Sequence, residues 1–214
     1  MSKMTAAVAG ATGLVGGLLL RRLLDDPEIE RVVAPTRRPL APHAKLVNPI
    51  FDGTLWPSLP PLDEAYGCLG TTRKRAGSDE AFRAVDLVLT RSFARAAKAA
   101  GARRFGLVSS IGADKGSRFL YLKTKGEAEA AVSGFGFESV AIVRPSFLIG
   151  NRAEHRPAES LTISALHAFE PVLVGPFRRW RGVRAETVAG ALISALRGRV
   201  PGTLVLESDA LRAS

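Results

Sequence analysis

The chain has 214 residues, 46% of them hydrophobic, with 30 Lys and Arg against 20 Asp and Glu for a net charge of +10. That length supports one sizeable core and leaves too little for two, and no apolar run approaches the roughly 20 residues that a bilayer span needs. The lone cysteine, Cys68, excludes an internal disulfide and a cysteine-based zinc site. The opening Met-Ser-Lys-Met-Thr leads at once into the first predicted strand, with no signal-peptide pattern, so a cytoplasmic setting is expected.

Residues 4–9 are short and apolar and predict a strand. Residues 14–24 carry leucines at helical spacing, and Asp25-Asp26-Pro27 closes that helix. Between them runs Gly10-Ala11-Thr12-Gly13-Leu14-Val15-Gly16, a Gly-x-x-Gly-x-x-Gly turn. Glycines at this spacing let the backbone turn sharply and let a phosphate approach without a Cβ in the way. The helix start then offers unpaired N–H groups and a partial positive charge. No Gly-Lys-Ser/Thr follows, so the turn suits a dinucleotide rather than ATP or GTP. A tight strand–helix turn without a ligand is the bland alternative.

Strands are predicted next at 31–36, 45–51 and 65–69, then a helix over 78–100 opened by Ser78-Asp79-Glu80 and stopped at Gly101. A strand at 104–109, a helix at 121–132, a strand at 139–144, a helix at 185–197 and a strand at 203–207 complete the alternation. Such a pattern predicts an α/β fold: a Rossmann-like doubly wound parallel sheet in a single domain. Residues 151–184 break the alternation and are expected to form a small cap on the substrate side.

In such a sheet ligands sit at the carboxyl ends of the strands. Arg37 and Arg38 follow the second strand, where an acidic residue would grip a ribose 2′-hydroxyl. Guanidinium groups there can clamp a 2′-phosphate instead, which favours NADP over NAD. Asp52, before Gly53, is either an adenine partner or a turn residue. Gly70, after the fourth strand, would let backbone lie against a cofactor, whereas Cys68 reads as a small core residue. Ser109 and Ser110 end the fifth strand, and Tyr121 and Lys125 follow at a spacing that shares one helix face. An ammonium beside a phenol favours the phenolate, so Tyr-x-x-x-Lys makes a proton donor or acceptor for a carbonyl or alcohol. Ser110 is taken as the hydroxyl that orients the substrate oxygen, with Ser109 one residue of register away. His43, His155 and His167 lack metal-ligand spacing, so no metal is expected.

The order of glycine turn, Ser110, Tyr121 and Lys125 resembles the short-chain dehydrogenase/reductase family in its shorter, atypical NAD(P)H-binding branch. Cys68-Leu69-Gly70-Thr71-Thr72-Arg73, Val85-Asp86, Gly112-Ala113-Asp114-Lys115, Phe119-Leu120-Tyr121 and Arg144-Pro145 are more particular. With Arg152-x-Glu154-x-Arg156 they resemble the oxidoreductases related to the HIV Tat-interacting protein. The resemblance implies NADPH held by Thr12, Gly13, Leu14 and Val15, with Arg37 and Arg38 at its 2′-phosphate. It implies Leu69 and Gly70 at the middle of the cofactor, and Leu148 and Arg156 lining it and its outer loop. Tyr121 would be the proton acceptor, with Lys125 on the nicotinamide ribose.

The expected function is NADPH-dependent reduction of a carbonyl, or oxidation of an alcohol, through Ser110, Tyr121 and Lys125. The alternative is an NADPH-binding regulatory protein with little turnover. Partners are expected to be a small-molecule substrate, with arginines of the cap hinting at an anionic group, and no nucleic acid or membrane. The basic residues are scattered and not interleaved with stacking aromatics. A monomer or a homodimer is compatible with the flanking helices.

Overall fold

Small apolar residues alternate through the first strand so that both of its faces are buried. Ala6 and Val8 belong to one core, Ala7 and Ala9 to the other, and all four have no exposed surface. The computed structural model describes residues 3–149 and 182–213. The strands are β1 (Met4–Ala9), β2 (Ile29–Val33), β3 (Leu46–Val47), β4 (Glu64–Gly67), β5 (Arg104–Val108), β6 (Ser139–Arg144), β7 (Leu148–Ile149), β8 (Val183–Arg184) and β9 (Gly202–Glu207). Seven of them form one sheet in the order β3-β2-β1-β4-β5-β6-β9, every pairing parallel. β7 and β8 make a separate parallel pair.

The helices are α1 (Leu14–Asp25), α2 (Arg73–Ala76), α3 (Asp79–Arg83), α4 (Thr90–Ala99), α5 (Leu120–Ser133), α6 (Ala185–Arg197) and α7 (Ser208–Ala213). α3 and α4 are joined by a π-helical turn, Ala84–Leu89, so the predicted helix over 78–100 is one rod with a wider turn in its middle. Ser78 caps it by accepting the Ala81 N–H, as its position suggested.

The two faces follow from residue parity. Leu19, Leu20 and Leu23 of α1 and Val188, Leu192 and Leu196 of α6 cover the Ala6/Val8 side. Phe93 and Ala97 of α4 and Val132 of α5 cover the Ala7/Ala9 side, together with Phe105 and Leu107 of β5. Helices on both faces of an all-parallel sheet are the doubly wound arrangement.

The predicted second and third strands are shorter than expected. Pro35 and Pro49 lack N–H groups, so ordinary pairing stops and resumes only as an isolated bridge between Thr36 and Ile50. Asn48 replaces the missing ladder: its amide donates to the Ala34 carbonyl at 2.5 Å and its Oδ1 accepts the Leu40 N–H at 2.8 Å. The cap expected over 151–184 lies outside the described residues apart from its last three positions.

Beneath the sheet, at the amino ends of the strands, sits a buried ionic cluster. Glu64 has no exposed surface and accepts the Tyr66 hydroxyl at 2.9 Å, Arg104 at 3.3 Å and Arg197 at 3.2 Å. Arg197 also pairs with Asp26, tying the end of α6 to the end of α1. Burial, with the Glu64 charge beside it, pushes the Tyr66 phenol well above its ordinary range.

Candidate active site

Because the strands are parallel, their carboxyl ends share one rim, and the turns after β1, β2, β4 and β5 carry Gly10, Arg37, Gly70 and Ser110 on it. At the end of β1, Gly10 has φ +84° and Gly13 N–H closes the turn onto the Gly10 carbonyl at 2.9 Å. A Cβ on Gly10 would stand 2.5 Å from the Cys68 carbonyl oxygen, and one on Gly16 would stand 2.2 Å from the Gly10 oxygen. Both glycines are therefore demanded by close backbone approach. Gly13 caps α1 without a side-chain bond, and no acidic residue occupies the first turn. The N–H groups of that helix start are free of side-chain acceptors, which suits an anion. Thr12 and Gly13 are exposed there and Leu14 is half-buried. Val15 points into the core between α1 and α6, so what it can offer a ligand is its N–H, not its side chain.

After β2, the Thr36 hydroxyl donates to the Arg38 carbonyl at 2.6 Å and accepts from the Asn48 amide at 2.8 Å. This pins the backbone while the Arg37 and Arg38 side chains stay exposed, with no acidic partner among the described residues. Asp52 is a turn residue. Its Oδ1 accepts the Thr54 N–H and hydroxyl, both at 2.7 Å, and the Leu55 N–H at 3.2 Å, which hold the carboxyl below its usual range.

The chemistry-bearing helix is α5. Tyr121 is 39% exposed, with its ring 5.8 Å from that of Phe82 of α3. One turn on, Lys125 is buried, and its Nζ stands 2.7 Å from Oδ1 of Asp86, a residue of the π-helical turn with no exposed side-chain surface. Asp86 Oδ2 accepts the Thr71 N–H at 2.9 Å. A Cβ on Gly70 would lie 3.8 Å from both Asp86 Oδ1 and Lys125 Nζ, so Gly70 lies directly over the pair. Burial pushes the Lys125 ammonium down, but the charges of Asp86, Tyr121 and Glu129 more than offset it and hold its pKa above the usual lysine range. Leu69, next to Gly70, is half-buried against the Phe105 core.

Ser109 and Ser110 are both buried at the end of β5. Ser109 N–H still pairs with the Val143 carbonyl, so strand alternation continues and sets Ser109 in the row of Phe105 and Leu107, toward α4 and α5. Its hydroxyl is buried without a hydrogen-bond partner among the described residues. The Ser110 hydroxyl makes only a 3.4 Å contact to the Ile111 carbonyl. Burial raises the Cys68 thiol to about 12, in keeping with a core residue and not a nucleophile. Leu148 lies in β7 and is half-buried, whereas Arg156, His155 and His167 lie outside the described residues. Among the described residues, no cluster of His, Cys, Asp and Glu could hold a metal ion and no helix is long and apolar enough to cross a membrane.

No family model matches the chain. It is 36% identical over 209 residues to protein fmp52, mitochondrial, of Emericella nidulans, which covers 91% of this chain and 90% of that protein. It is 36% identical over 169 residues to protein HTATIP2 of Rattus norvegicus, 75% of this chain and 69% of that one. The chain belongs to the Fmp52/HTATIP2 family of atypical short-chain dehydrogenase/reductase-like proteins.

The fold of this chain is similar to the solved structure of MoeE5 in complex with UDP-glucose and NAD, at a TM-score of 0.71 and 20% identity, covering 98% of this chain and 80% of that one. That likeness shows a Rossmann-like fold of the kind seen in NAD-binding proteins. The expectation of a cytoplasmic protein is corrected by the fmp52 relatives, which are named mitochondrial. That expectation rested on the lack of a secretory pattern, which bears on export and does not separate cytosol from mitochondrion. Asp86, noted in the sequence only as part of a family run, is the site residue that sequence reasoning left without a role. The available signal was a carboxylate set within the otherwise apolar run Ala84-Val85-Asp86-Leu87-Val88-Leu89.

Proposed function

We propose that this chain is an NADPH-dependent oxidoreductase that reduces the carbonyl of a small molecule, or oxidises the corresponding alcohol. The observation that carries the reading is the Lys125 ammonium held beneath Gly70, one helical turn from an exposed Tyr121 phenol, at the rim that bears the glycine turn. The residues fit a dinucleotide. The glycines let the turn pack tightly against the end of β4, and the uncapped start of α1, with no acidic residue in its first turn, suits a pyrophosphate. Gly10, Thr12, Gly13, Leu14 and Val15 would hold that part, and Arg37 and Arg38 would hold the 2′-phosphate of NADP. Leu69 and Gly70 would lie along its middle, Lys125 on the nicotinamide ribose, and Leu148 and Arg156 at its outer edge.

When bound, the dinucleotide supplies or takes the hydride. The Tyr121 phenol gives the carbonyl oxygen its proton, and Lys125 favours the phenolate that remains. A serine hydroxyl orients the same oxygen. The unpartnered, buried hydroxyl of Ser109 supports it for this role over Ser110. The mitochondrial names of the fmp52 relatives support that compartment for this chain.

The test is NADPH consumption with a panel of quinones, aldehydes and ketones. Wild type turns over at least one class, Tyr121→Phe abolishes it while NADPH still binds, and Ser109→Ala impairs it more than Ser110→Ala. NADPH binding with no turnover across the panel supports the second reading, a regulatory NADPH binder. Failure to bind NADPH overturns both.

A further inference from the structure

Two opposite charges are buried against each other beside this site. Burying a carboxylate or an ammonium is costly, and a well-packed apolar pair of similar volume is often as stable or more so. Stability therefore does not explain why the chain keeps Asp86 and Lys125 here. Their geometry offers another reason. Oδ1 of Asp86 holds Lys125 Nζ at 2.7 Å, while Oδ2 of the same carboxylate holds the Thr71 N–H at 2.9 Å. One carboxylate thus joins α5 to the loop after β4, and Gly70 spans the gap between them without a side chain.

We propose that Asp86 is the positioning residue of this site: it fixes the Lys125 ammonium beneath Gly70 and locks the Gly70–Thr71 backbone to it. The inference rests on the oxidoreductase reading above. The π-helical turn belongs to the same device. One extra residue in the turn alters which side chains face α5, and such turns recur at functional sites. The ion pair anchors Lys125 Nζ at one point, so the ammonium presents its N–H donors from a fixed position. The ammonium then works as a charge and hydrogen-bond donor held in a fixed place one helical turn from Tyr121. The other charged groups around the pair are accounted for. Tyr121 and Glu129 lie on α5 with Lys125. Arg83 of α3 is engaged by Glu127 at 2.8 Å and touches the Thr124 hydroxyl at 3.4 Å.

The test uses the full chain and three variants: Asp86→Asn, Asp86→Glu and Asp86→Leu. In the dinucleotide-free protein, the Lys125 side chain is titrated by NMR, its signal assigned through Lys125→Arg. Asp86→Asn keeps an acceptor for Thr71 but removes the charge, so the Lys125 midpoint falls by at least about one pH unit. With menadione and NADPH as probes, Asp86→Asn loses at least about tenfold in kcat while the KM for menadione stays near wild type. Asp86→Glu recovers part of that loss. Asp86→Leu strands the buried Lys125 ammonium and melts below wild type; assayed at a temperature where circular dichroism shows it folded, it loses turnover with the others. An unshifted Lys125 midpoint in Asp86→Asn overturns the inference, as does wild-type kcat in Asp86→Leu. If wild type itself neither binds nor oxidises NADPH, the functional reading fails, and the NMR titration alone decides whether Asp86 holds Lys125.

Discussion

Gly16 and Gly17 are neighbours in the first turn of α1, yet alanine should act differently at the two. At Gly16 the new Cβ would lie 2.2 Å from the Gly10 carbonyl oxygen and 3.1 Å from Cys68 Cβ. Gly10 has little room to give way, because even a Cβ on it would stand 2.5 Å from the Cys68 carbonyl oxygen, and its own oxygen is held by the Gly13 N–H. The helix must retreat from the turn by roughly an ångström, an overpacking that costs about 1–3 kcal/mol. In a domain of this size that corresponds to a fall in Tm of about 2–12 °C. At Gly17 the Cβ would meet only the Ala11 carbonyl, at 3.3 Å, which asks for a few tenths of an ångström. Against that stands the helix preference of alanine, about 0.5–1 kcal/mol, so Gly17→Ala melts within about 3 °C of wild type. The retreat of α1 also moves the N–H groups meant for the pyrophosphate. Gly16→Ala should therefore weaken NADPH by about tenfold or more, and Gly17→Ala by no more than about twofold. Calorimetric melts and NADPH titration check both. Equal effects at the two positions would refute the packing argument, and wild-type behaviour of Gly16→Ala would refute it outright.

The double variant Arg37→Ala with Arg38→Ala should weaken NADPH by at least about tenfold and leave NADH within about twofold; equal losses for the two nucleotides remove the 2′-phosphate role. Glu64→Gln strands the buried Arg104 and the inner side of Arg197, and should cost about 3 kcal/mol in denaturant unfolding. A loss below about 1 kcal/mol would show that the cluster is replaceable. Cys68, partly buried and with its thiol raised to about 12, should react with iodoacetamide more slowly in the folded chain than in urea, and equal rates would contradict the raised thiol pKa. The sign of its pH effect follows. The unfolded thiol ionises near about 8.5, so Cys68 favours the fold fully below that value and loses its contribution as pH rises through 12.

What the sequence made legible follows from which signals are local. The strand over 4–9, the helix over 185–197 and the strand over 139–144 appear with the bounds their patterns predict, because apolar parity and the glycine turn act within a few residues. The glycine turn itself was readable to the level of Gly10 and Gly16, whose close contacts the structure displays. The strands at 31–36 and 45–51 were overread because Pro35 and Pro49 remove ladder donors while leaving the apolar pattern intact. The π-helical turn was invisible, since one residue inserted in a long helix leaves no clear period. The β7–β8 pair and α7 were also unforeseen: two-residue strands carry no periodicity, and both lie beside the irregular region.

Within the site, Tyr121 and Lys125 were legible from their spacing, but the partner of Lys125 was not. Asp86 lies on another helix, and a pairing between helices depends on how both pack on the sheet. For Val15, the family pattern gives the position but not the contacting atom: helical phase turns its side chain into the core, which leaves its N–H to face a ligand. The surroundings of Ser109 and Ser110 also needed three dimensions, because the continued pairing with Val143 is what sets Ser109 in the row of Phe105 and Leu107.

A crystal structure of the chain grown with NADPH tests the central claim most directly. The account predicts a pyrophosphate over the turn from Gly10 to Val15, the 2′-phosphate between Arg37 and Arg38, and the nicotinamide ribose on Lys125. A dinucleotide bound elsewhere, or one whose nicotinamide lies far from Tyr121, would contradict it.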